Sequence, residues 1–307
     1  MEIQSPYAMI VTRFAVTDRR HSVIILTDTA MLETAVLIQH HSMPFVRSIS
    51  LINLDTDGDF SSIYDLSPDD LLILHIGIES WIARHNKLAF AFSKPPGVRA
   101  RYICIRPTIT KTALIEGLKT PLAVCQEISR RYGNLPIGKQ IRVLAKSGTD
   151  INLVLHSKPW TIPFTAHDSG ANAYLPPAEV SAEVQTFSAN GIIVVDTTLG
   201  ELRVRGELID SFGLVEEPMT MKIENGSVVD IYGSAMAARL KAKLWQLTEN
   251  CRRLVELGFG LSEMTACGII GIDESIAGTC HFGFGSSKEN EAPIHLDVVI
   301  NGFTIVN

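Results

Sequence analysis

The chain has 307 residues, of which 46% are hydrophobic and 20% charged, so we expect a sizeable core in one or two domains rather than disorder. The net charge is −6 with acids and bases mixed, and no basic block indicates a nucleic-acid partner. We expect no signal peptide, no apolar run of the ~18 residues that a membrane helix needs, and no disulfide framework, because the five cysteines are scattered. A cytoplasmic location is therefore predicted.

The first part of the chain alternates short apolar strands with helices. The predicted strands are, in chain order, 23–27, 46–54, 71–75, 87–92 and 101–106. The predicted helices are 29–40, 78–86, 110–118 and 121–132. The nearly continuous apolar run at 71–75 is typical of a central parallel strand. This alternation predicts an α/β domain with a parallel sheet and helices on its faces.

After residue 137 the pattern becomes rich in strands. The predicted strands are 140–145, 151–155, 180–185, 192–196, 202–205, 219–223, 228–232 and 303–306. Glu224-Asn-Gly226 between two of them predicts a hairpin. Residues 235–257 are rich in Ala, Leu, Lys and Arg and predict one long helix that stops at Gly258. We therefore predict an N-terminal parallel-sheet α/β domain over 1–137 and a β-rich α+β metal-binding domain over 138–307.

His295-Leu-Asp297 is the most informative local pattern in the second part. Residues i and i+2 of a strand point to the same face, whereas a helix would separate them by roughly 200°. Imidazole nitrogen and carboxylate oxygen are ligands that borderline divalent metals prefer. On a strand, this pair could hold one ion together.

Other chemistry-bearing residues are spread over the same part of the chain. Glu256 precedes a Gly-Phe-Gly sequence, and the glycines that follow His281 would clear one strand face beside its imidazole. Glu179 and Glu183 would share a strand face, entered through a double proline that keeps the backbone extended. Taken singly, each acid is more often a solvated or edge charge, and each histidine more often an ordinary structural residue, than a metal ligand.

Five possible metal ligands result: Glu179, Glu256, His281, His295 and Asp297. All five would support two ions that share a carboxylate, and a water bridging two cations loses its proton near neutral pH. Another carboxylate, such as Glu183, would then carry the proton. Three of the five would instead support a single open site, such as the facial triad of non-haem iron oxygenases. The residues alone leave both arrangements open.

In order and spacing, four motifs resemble those of the aminopeptidase T family of metallo-aminopeptidases. The motifs are Leu175-Pro-Pro-Ala-Glu179, Glu256-Leu-Gly-Phe-Gly260, His281-Phe-Gly-Phe-Gly285 and His295-Leu-Asp297. The resemblance implies that the five residues above hold two divalent ions (zinc, cobalt or manganese). It also implies removal of N-terminal residues from a peptide or small amide substrate, and a homodimer.

The chain departs from these aminopeptidases at two points. Lys288 stands where that family carries a tyrosine thought to assist the transition state, so Lys288 becomes the catalytic candidate there. The connection from His281 to His295 is also shorter. A second resemblance, around Gly258 and His295, is to 2,5-dihydroxypyridine 5,6-dioxygenase, a single-iron enzyme of the same fold. That enzyme has histidine where this chain has Glu256.

We predict from these observations a dimetal hydrolase that cleaves a peptide or amide bond. The presence of both Glu179 and Glu256 favours this function. One alternative is a single-iron, ring-cleaving dioxygenase-like enzyme. Another is a peptide-binding or tailoring protein that keeps the scaffold but has lost hydrolysis, which the short connection and the missing tyrosine would explain. Metal content distinguishes the three.

Overall fold

The computed structural model describes residues 5–14, 19–81 and 94–306. The chain forms two compact units, one made of Met1–Pro121 with Ile162–Pro177 and the other of Leu122–Thr161 with Ala178–Asn307. Across the described residues, no helix has the length and apolar character needed to span a membrane.

The described helices and strands follow one another from Pro6 to Val306. The helices are α1 Pro6–Thr12, α2 Leu32–Ser42, α3 Lys111–Lys119, α4 Leu122–Gly133, α5 Ala235–Leu244 and α6 Ile270–Asp273. The first ten strands are β1 Ser22–Thr27, β2 Ser48–Asn53, β3 Leu71–His75, β4 Arg101–Ile105, β5 Gln140–Ala145, β6 Asp150–Val154, β7 Trp160–Thr161, β8 Asn172–Leu175, β9 Glu179–Glu183 and β10 Asn190–Val195. The others are β11 Thr198–Leu199, β12 Leu202–Val204, β13 Glu207–Asp210, β14 Gly213–Leu214, β15 Met219–Glu224, β16 Ser227–Tyr232, β17 Leu254–Gly260, β18 Thr279–Gly285, β19 His295–Asn301 and β20 Phe303–Val306.

The first unit is built on a five-stranded sheet in the order β2-β1-β3-β4-β8, in which all neighbours are parallel. Strands β3 and β4 are buried at every residue, as parallel strands are when both faces of the sheet are covered. Helix α3 begins where the Thr110 hydroxyl accepts a hydrogen bond from the Ala113 N–H. The predicted parallel-sheet architecture is confirmed. The predicted strand 87–92, and the helix 78–86 beyond residue 81, lie outside the described residues.

Among the described residues, the second unit contains two large antiparallel sheets and the two-stranded antiparallel sheet β12-β13. The six-stranded sheet has the order β16-β15-β10-β6-β5-β20, and the seven-stranded sheet has the order β14-β11-β19-β18-β17-β9-β7. Residues from both sheets form one hydrophobic core, including Met221 of β15 and Phe282 of β18, and helix α5 adds Leu240. Strands of the six-stranded sheet alternate buried and more exposed residues, which is typical of a sheet with one face on a core.

The prediction of one long helix over 235–257 is correct only for its first ten residues. Helix α5 ends at Leu244, and β17 begins ten residues later. Gly258 therefore lies within a strand and ends no helix. Leu257 is buried through the pairing of β17 with β18 and β9, and such long-range pairing outweighs local helix propensity. As a consequence, Glu256 projects from a strand rather than from a helix end.

The division into units also differs from the boundary predicted between 137 and 138. Helix α4 belongs to the second unit, and the segment Ile162–Pro177 returns to the first. The return follows from backbone pairing, because β8 extends the parallel sheet beside β4 with Tyr102 opposite Asn172. The composition of the chain changes near 137, but the sheet of the first unit is completed only by β8.

Two hairpins turn through residue pairs that both have positive φ. Asn225 and Gly226 (φ 48° and 74°) join β15 to β16, which confirms the predicted hairpin, and Arg205 and Gly206 (φ 52° and 87°) join β12 to β13. A Cβ at Gly226 would lie 2.7 Å from the backbone nitrogen of Phe187, whereas a Cβ at Gly206 would meet nothing within 4 Å. The two glycines therefore share a backbone requirement but differ in packing.

We predict that Gly206→Ala lowers the free energy of unfolding by about 1 kcal/mol, because alanine is strained at positive φ. Gly226→Ala is expected to cost about 1–3 kcal/mol more, since its methyl group must displace the backbone at residue 187. Urea denaturation of both variants measures the difference. Equal losses would show that the close approach at Gly226 is unimportant.

Candidate metal centre

The predicted ligands lie on four neighbouring strands of the seven-stranded sheet, in the order β9-β17-β18-β19. The register places Glu183 opposite Glu256, Glu256 opposite Gly283, and Gly283 opposite Asp297. Directly paired residues share a face, so these residues form a row on the face away from the core. Because side chains alternate between the two faces of each strand, the apolar side chains face the core and the ligand candidates face the opposite side.

Three of the candidates form a group that we call the buried group: Glu179, Glu256 and His281. One ligand atom of each lies within 4.8 Å of the others. His281 Nε2 is 3.0 Å from Glu179 Oε2 and 3.9 Å from Glu256 Oε1. The His281 side chain is only 2% exposed. This group therefore combines one imidazole and two carboxylates away from bulk water.

A second set, which we call the open group, consists of Glu256, His295 and Asp297. His295 Nε2 lies 3.3 Å from Glu256 Oε2 and 3.1 Å from Asp297 Oδ1. The His295 side chain is 38% exposed, so this group faces solvent on one side. Glu256 belongs to both groups and directs one carboxylate oxygen to each, as a bridging carboxylate would.

One carboxylate oxygen in each group has no hydrogen-bond partner among the described residues. Within the described part of the chain, Glu179 Oε2 and Asp297 Oδ1 are buried and accept no hydrogen bond, although each lies about 3 Å from an imidazole nitrogen. Buried carboxylate oxygens without partners are costly. Carboxylate oxygens and imidazole nitrogens that surround a shared point can bind a cation placed there. The residues of each group therefore fit a divalent ion.

Two glycines provide the space in which these side chains lie across the sheet. A Cβ at Gly258 would lie 2.0 Å from His281 Cε1. A Cβ at Gly283 would lie 2.9 Å from Asp297 Oδ1 and 3.0 Å from His295 Nε2. Neither position tolerates a side chain without movement of a ligand candidate, so the glycines shape the two groups.

Charge compensation links the imidazoles to the carboxylates. Burial alone would lower the pKa of His281, but the nearby carboxylates, chiefly those of Glu179 and Glu256, together outweigh burial and hold the pKa well above its usual value. Asp297 raises the pKa of His295 to about 12 against the effect of burial. Burial would raise the pKa of Glu256, yet the two imidazoles hold it below its usual range. Without a metal, protons balance the carboxylates, and a bound cation would replace them.

The two catalytic candidates lie at different positions relative to these groups. Glu183 faces the same side of the sheet as Glu256 and pairs directly with it. Lys288 is exposed in the connection between β18 and β19. Sequence reasoning missed Ser286, whose carbonyl oxygen lies 3.0 Å from His295 Nδ1, because a backbone contact of this kind leaves no residue-type signal.

Comparison with known proteins places the chain in a family. Residues 110–306 match the family model of NicX, 2,5-dihydroxypyridine 5,6-dioxygenase, which is well over half of the chain. The chain belongs to the NicX family. No curated protein sequence matches it. The match favours the predicted dioxygenase-like alternative over the predicted hydrolase.

Two solved structures share the fold of this NicX-family chain. The 2,5-dihydroxypyridine dioxygenase of Pseudomonas putida superposes with a TM-score of 0.65 at 15% identity, covering 99% of this chain and 93% of that one. The aminopeptidase AmpT of Thermus thermophilus superposes with a TM-score of 0.54 at 15% identity, covering 98% and 94%. The predicted resemblance to both kinds of protein is confirmed at the level of fold.

We predict that the two glycines affect the two metal groups to different extents, although Glu256, whose Cβ would lie 2.9 Å from a Cβ at Gly283, belongs to both groups. Gly283→Ala is expected to weaken divalent-ion binding at the open group by about 10–100-fold, the range seen when a metal ligand is reoriented. Gly258→Ala should instead remove binding at the buried group, because His281 must move. Calorimetric titration with Zn²⁺ measures both affinities, and Gly206→Ala is the matched control. Affinities equal to that of the control would contradict the prediction.

Proposed function

We propose that this NicX-family chain is a divalent-metal enzyme that opens a small hydroxylated aromatic ring with dioxygen, using the open group as its metal site. The observation that carries the proposal is the exposure of that group. Three protein ligands on one side leave coordination positions free on the other, where a substrate can approach. The family match supports this reaction class.

Iron(II) bound by the open group would supply the redox chemistry that allows dioxygen to react with an electron-rich ring. Two carboxylates and one imidazole form a more anionic set than the usual two histidines and one carboxylate of facial-triad enzymes. The set therefore favours a hard divalent cation.

The chain's own residues have separable roles in this proposal. Glu183, opposite Glu256 on the site face, accepts the proton that a substrate hydroxyl loses. Lys288, exposed on the β18–β19 connection, attracts the resulting anionic oxygen. His295 and Asp297 would hold the metal on the face of the sheet away from the core.

We predict that the protein reconstituted anaerobically with iron(II) consumes oxygen when 2,5-dihydroxypyridine or a related dihydroxylated ring is added. Asp297→Asn should reduce the rate by at least about 100-fold, since it removes a charged ligand from the open group. Asp230→Asn changes a half-exposed acid of the six-stranded sheet, which pairs with Lys241, and should leave the rate unchanged. Oxygen electrode measurements provide the comparison. An iron-loaded protein inactive on the whole series would refute the proposed reaction.

The geometry of Glu256 favours a second candidate function, a dinuclear hydrolase acting on a peptide or amide. Glu256 Oε1 lies 3.9 Å from His281 Nε2, and Glu256 Oε2 lies 3.3 Å from His295 Nε2. Two ions held by the buried and open groups would supply a hydroxide nucleophile near neutral pH. Glu183 would then carry the proton to the leaving group.

We predict that metal stoichiometry separates the two candidates. For the hydrolase, the unaltered protein binds two ions, Glu179→Gln retains only one, and N-terminal amino acids are released from peptides. For the oxygenase, one ion suffices for oxygen uptake, and Glu179→Gln preserves most of the activity because Glu179 lies outside the open group. Elemental analysis of protein purified without added metal, together with the oxygen-uptake and peptide-cleavage assays, distinguishes the oxygenase from the hydrolase.

A further inference from the structure

The orientation of His295 depends on its second ring nitrogen. His295 Nδ1 lies 3.0 Å from the backbone carbonyl oxygen of Ser286. A carbonyl can only accept, so Nδ1 must donate, and this leaves Nε2 as the nitrogen that faces Glu256 and Asp297. Metal-binding histidines commonly have their second nitrogen held in this way, which fixes both the tautomer and the ring plane.

The Ser286 carbonyl belongs to a tight loop after β18. The Ser286 N–H donates to the Ile294 carbonyl at 2.7 Å, and the Ser287 N–H donates to the Asn290 carbonyl at 2.9 Å. The Ser287 hydroxyl accepts from the Asn290 N–H at 3.2 Å. The loop is therefore closed by its own backbone and by the Ser287 hydroxyl, and it does not depend on exposed side chains such as that of Lys288.

A buried amide anchors this loop to the body of the unit. Asn290 is 7% exposed, and its Nδ2 donates to the carbonyl of Gly285 at 2.5 Å and to that of Asn250 at 2.8 Å. Gly285 directly precedes Ser286, so the amide holds the backbone on which the carbonyl for His295 depends. An asparagine amide has two N–H donors, and Asn290 uses its amide nitrogen for both of these contacts.

The outer side of the loop has a separate attachment. Glu289 Oε1 lies 2.9 Å from His156 Nε2, and both side chains are close to half exposed. Exposed ion pairs contribute little to stability. The buried amide of Asn290 is thus the stronger of the two attachments.

We propose that Asn290 is a positioning residue for the open metal group, acting through the Ser286 carbonyl on His295. The short β18–β19 connection thereby serves to orient a metal ligand. This inference rests on the proposed function only in requiring that the open group binds a divalent ion, and it holds for either reaction.

The test compares Asn290→Asp with the unaltered protein. The aspartate has nearly the same shape, but it replaces the N–H donor with an oxygen that faces two carbonyls. Titration with Zn²⁺ against a chromophoric chelator should reveal affinity at the open group reduced by about 10–100-fold. Glu291→Gln, an exposed change in the adjacent residue, should retain full affinity.

A double substitution separates positioning from general damage. In a His295→Ala background, Asn290→Asp should cause no further loss of Zn²⁺ affinity, because the ligand it orients is absent. A further loss of similar size would identify a merely structural role and overturn the inference. If Asn290→Asp fails to fold, Asn290→Ser, which keeps one donor, takes its place with an intermediate loss expected.

The outcomes for the function and for the inference are distinct. An unaltered protein that binds no divalent ion would overturn the proposed function, and this inference with it. An unaltered protein that binds tightly, with Asn290→Asp binding equally tightly, would overturn the inference alone. NMR of the imidazole nitrogens in the metal-free protein adds an independent readout, since the hydrogen-bonded Nδ1–H of His295 should be lost in Asn290→Asp.

Discussion

Repulsion among three carboxylates on one sheet face is the constraint on which the second unit depends. Glu179, Glu256 and Asp297 project from strands whose opposite face is hydrophobic core. Like charges so close, partly removed from water, require positive charge beside them. The two imidazoles supply it in the metal-free protein, and a divalent ion would supply it more completely. The core on the other face holds the strands in register, so the charges cannot separate by relaxation of the sheet.

Those parts of the fold and site that short-range sequence patterns encode could be predicted. The apolar run at 71–75 is the buried strand β3, and His295-x-Asp297 lies on a strand with both side chains on one face. Long-range pairing could not be predicted in the same way. Leu254-Val-Glu-Leu suits a helix as well as a strand, and only its pairing with β18 and β9 decides. The anchoring of His295 through a backbone carbonyl likewise leaves no mark in the residue types.

One residue, Glu256, is compatible with both of the candidate chemistries. Glu256 serves both ligand groups with separate oxygens, and a histidine at that position could offer only one metal-facing nitrogen to one group. A carboxylate there makes a second ion geometrically feasible without excluding a single-ion enzyme. The two chemistries are therefore distinguished by the number of cations that the site retains. The fold does not distinguish them, because both kinds of protein share it.

The return of Ile162–Pro177 to the first unit has a practical consequence for producing the protein in pieces. A fragment cut after residue 137 would carry β8 without β4, its parallel neighbour, and would lack α4 of its own unit. The apolar residues Ala173, Tyr174 and Leu175, all buried in the intact chain, would then form an unprotected edge. Such edges recruit other strands and promote aggregation. Soluble expression of the second unit thus requires either the whole polypeptide or replacement of that insert with a short polar linker.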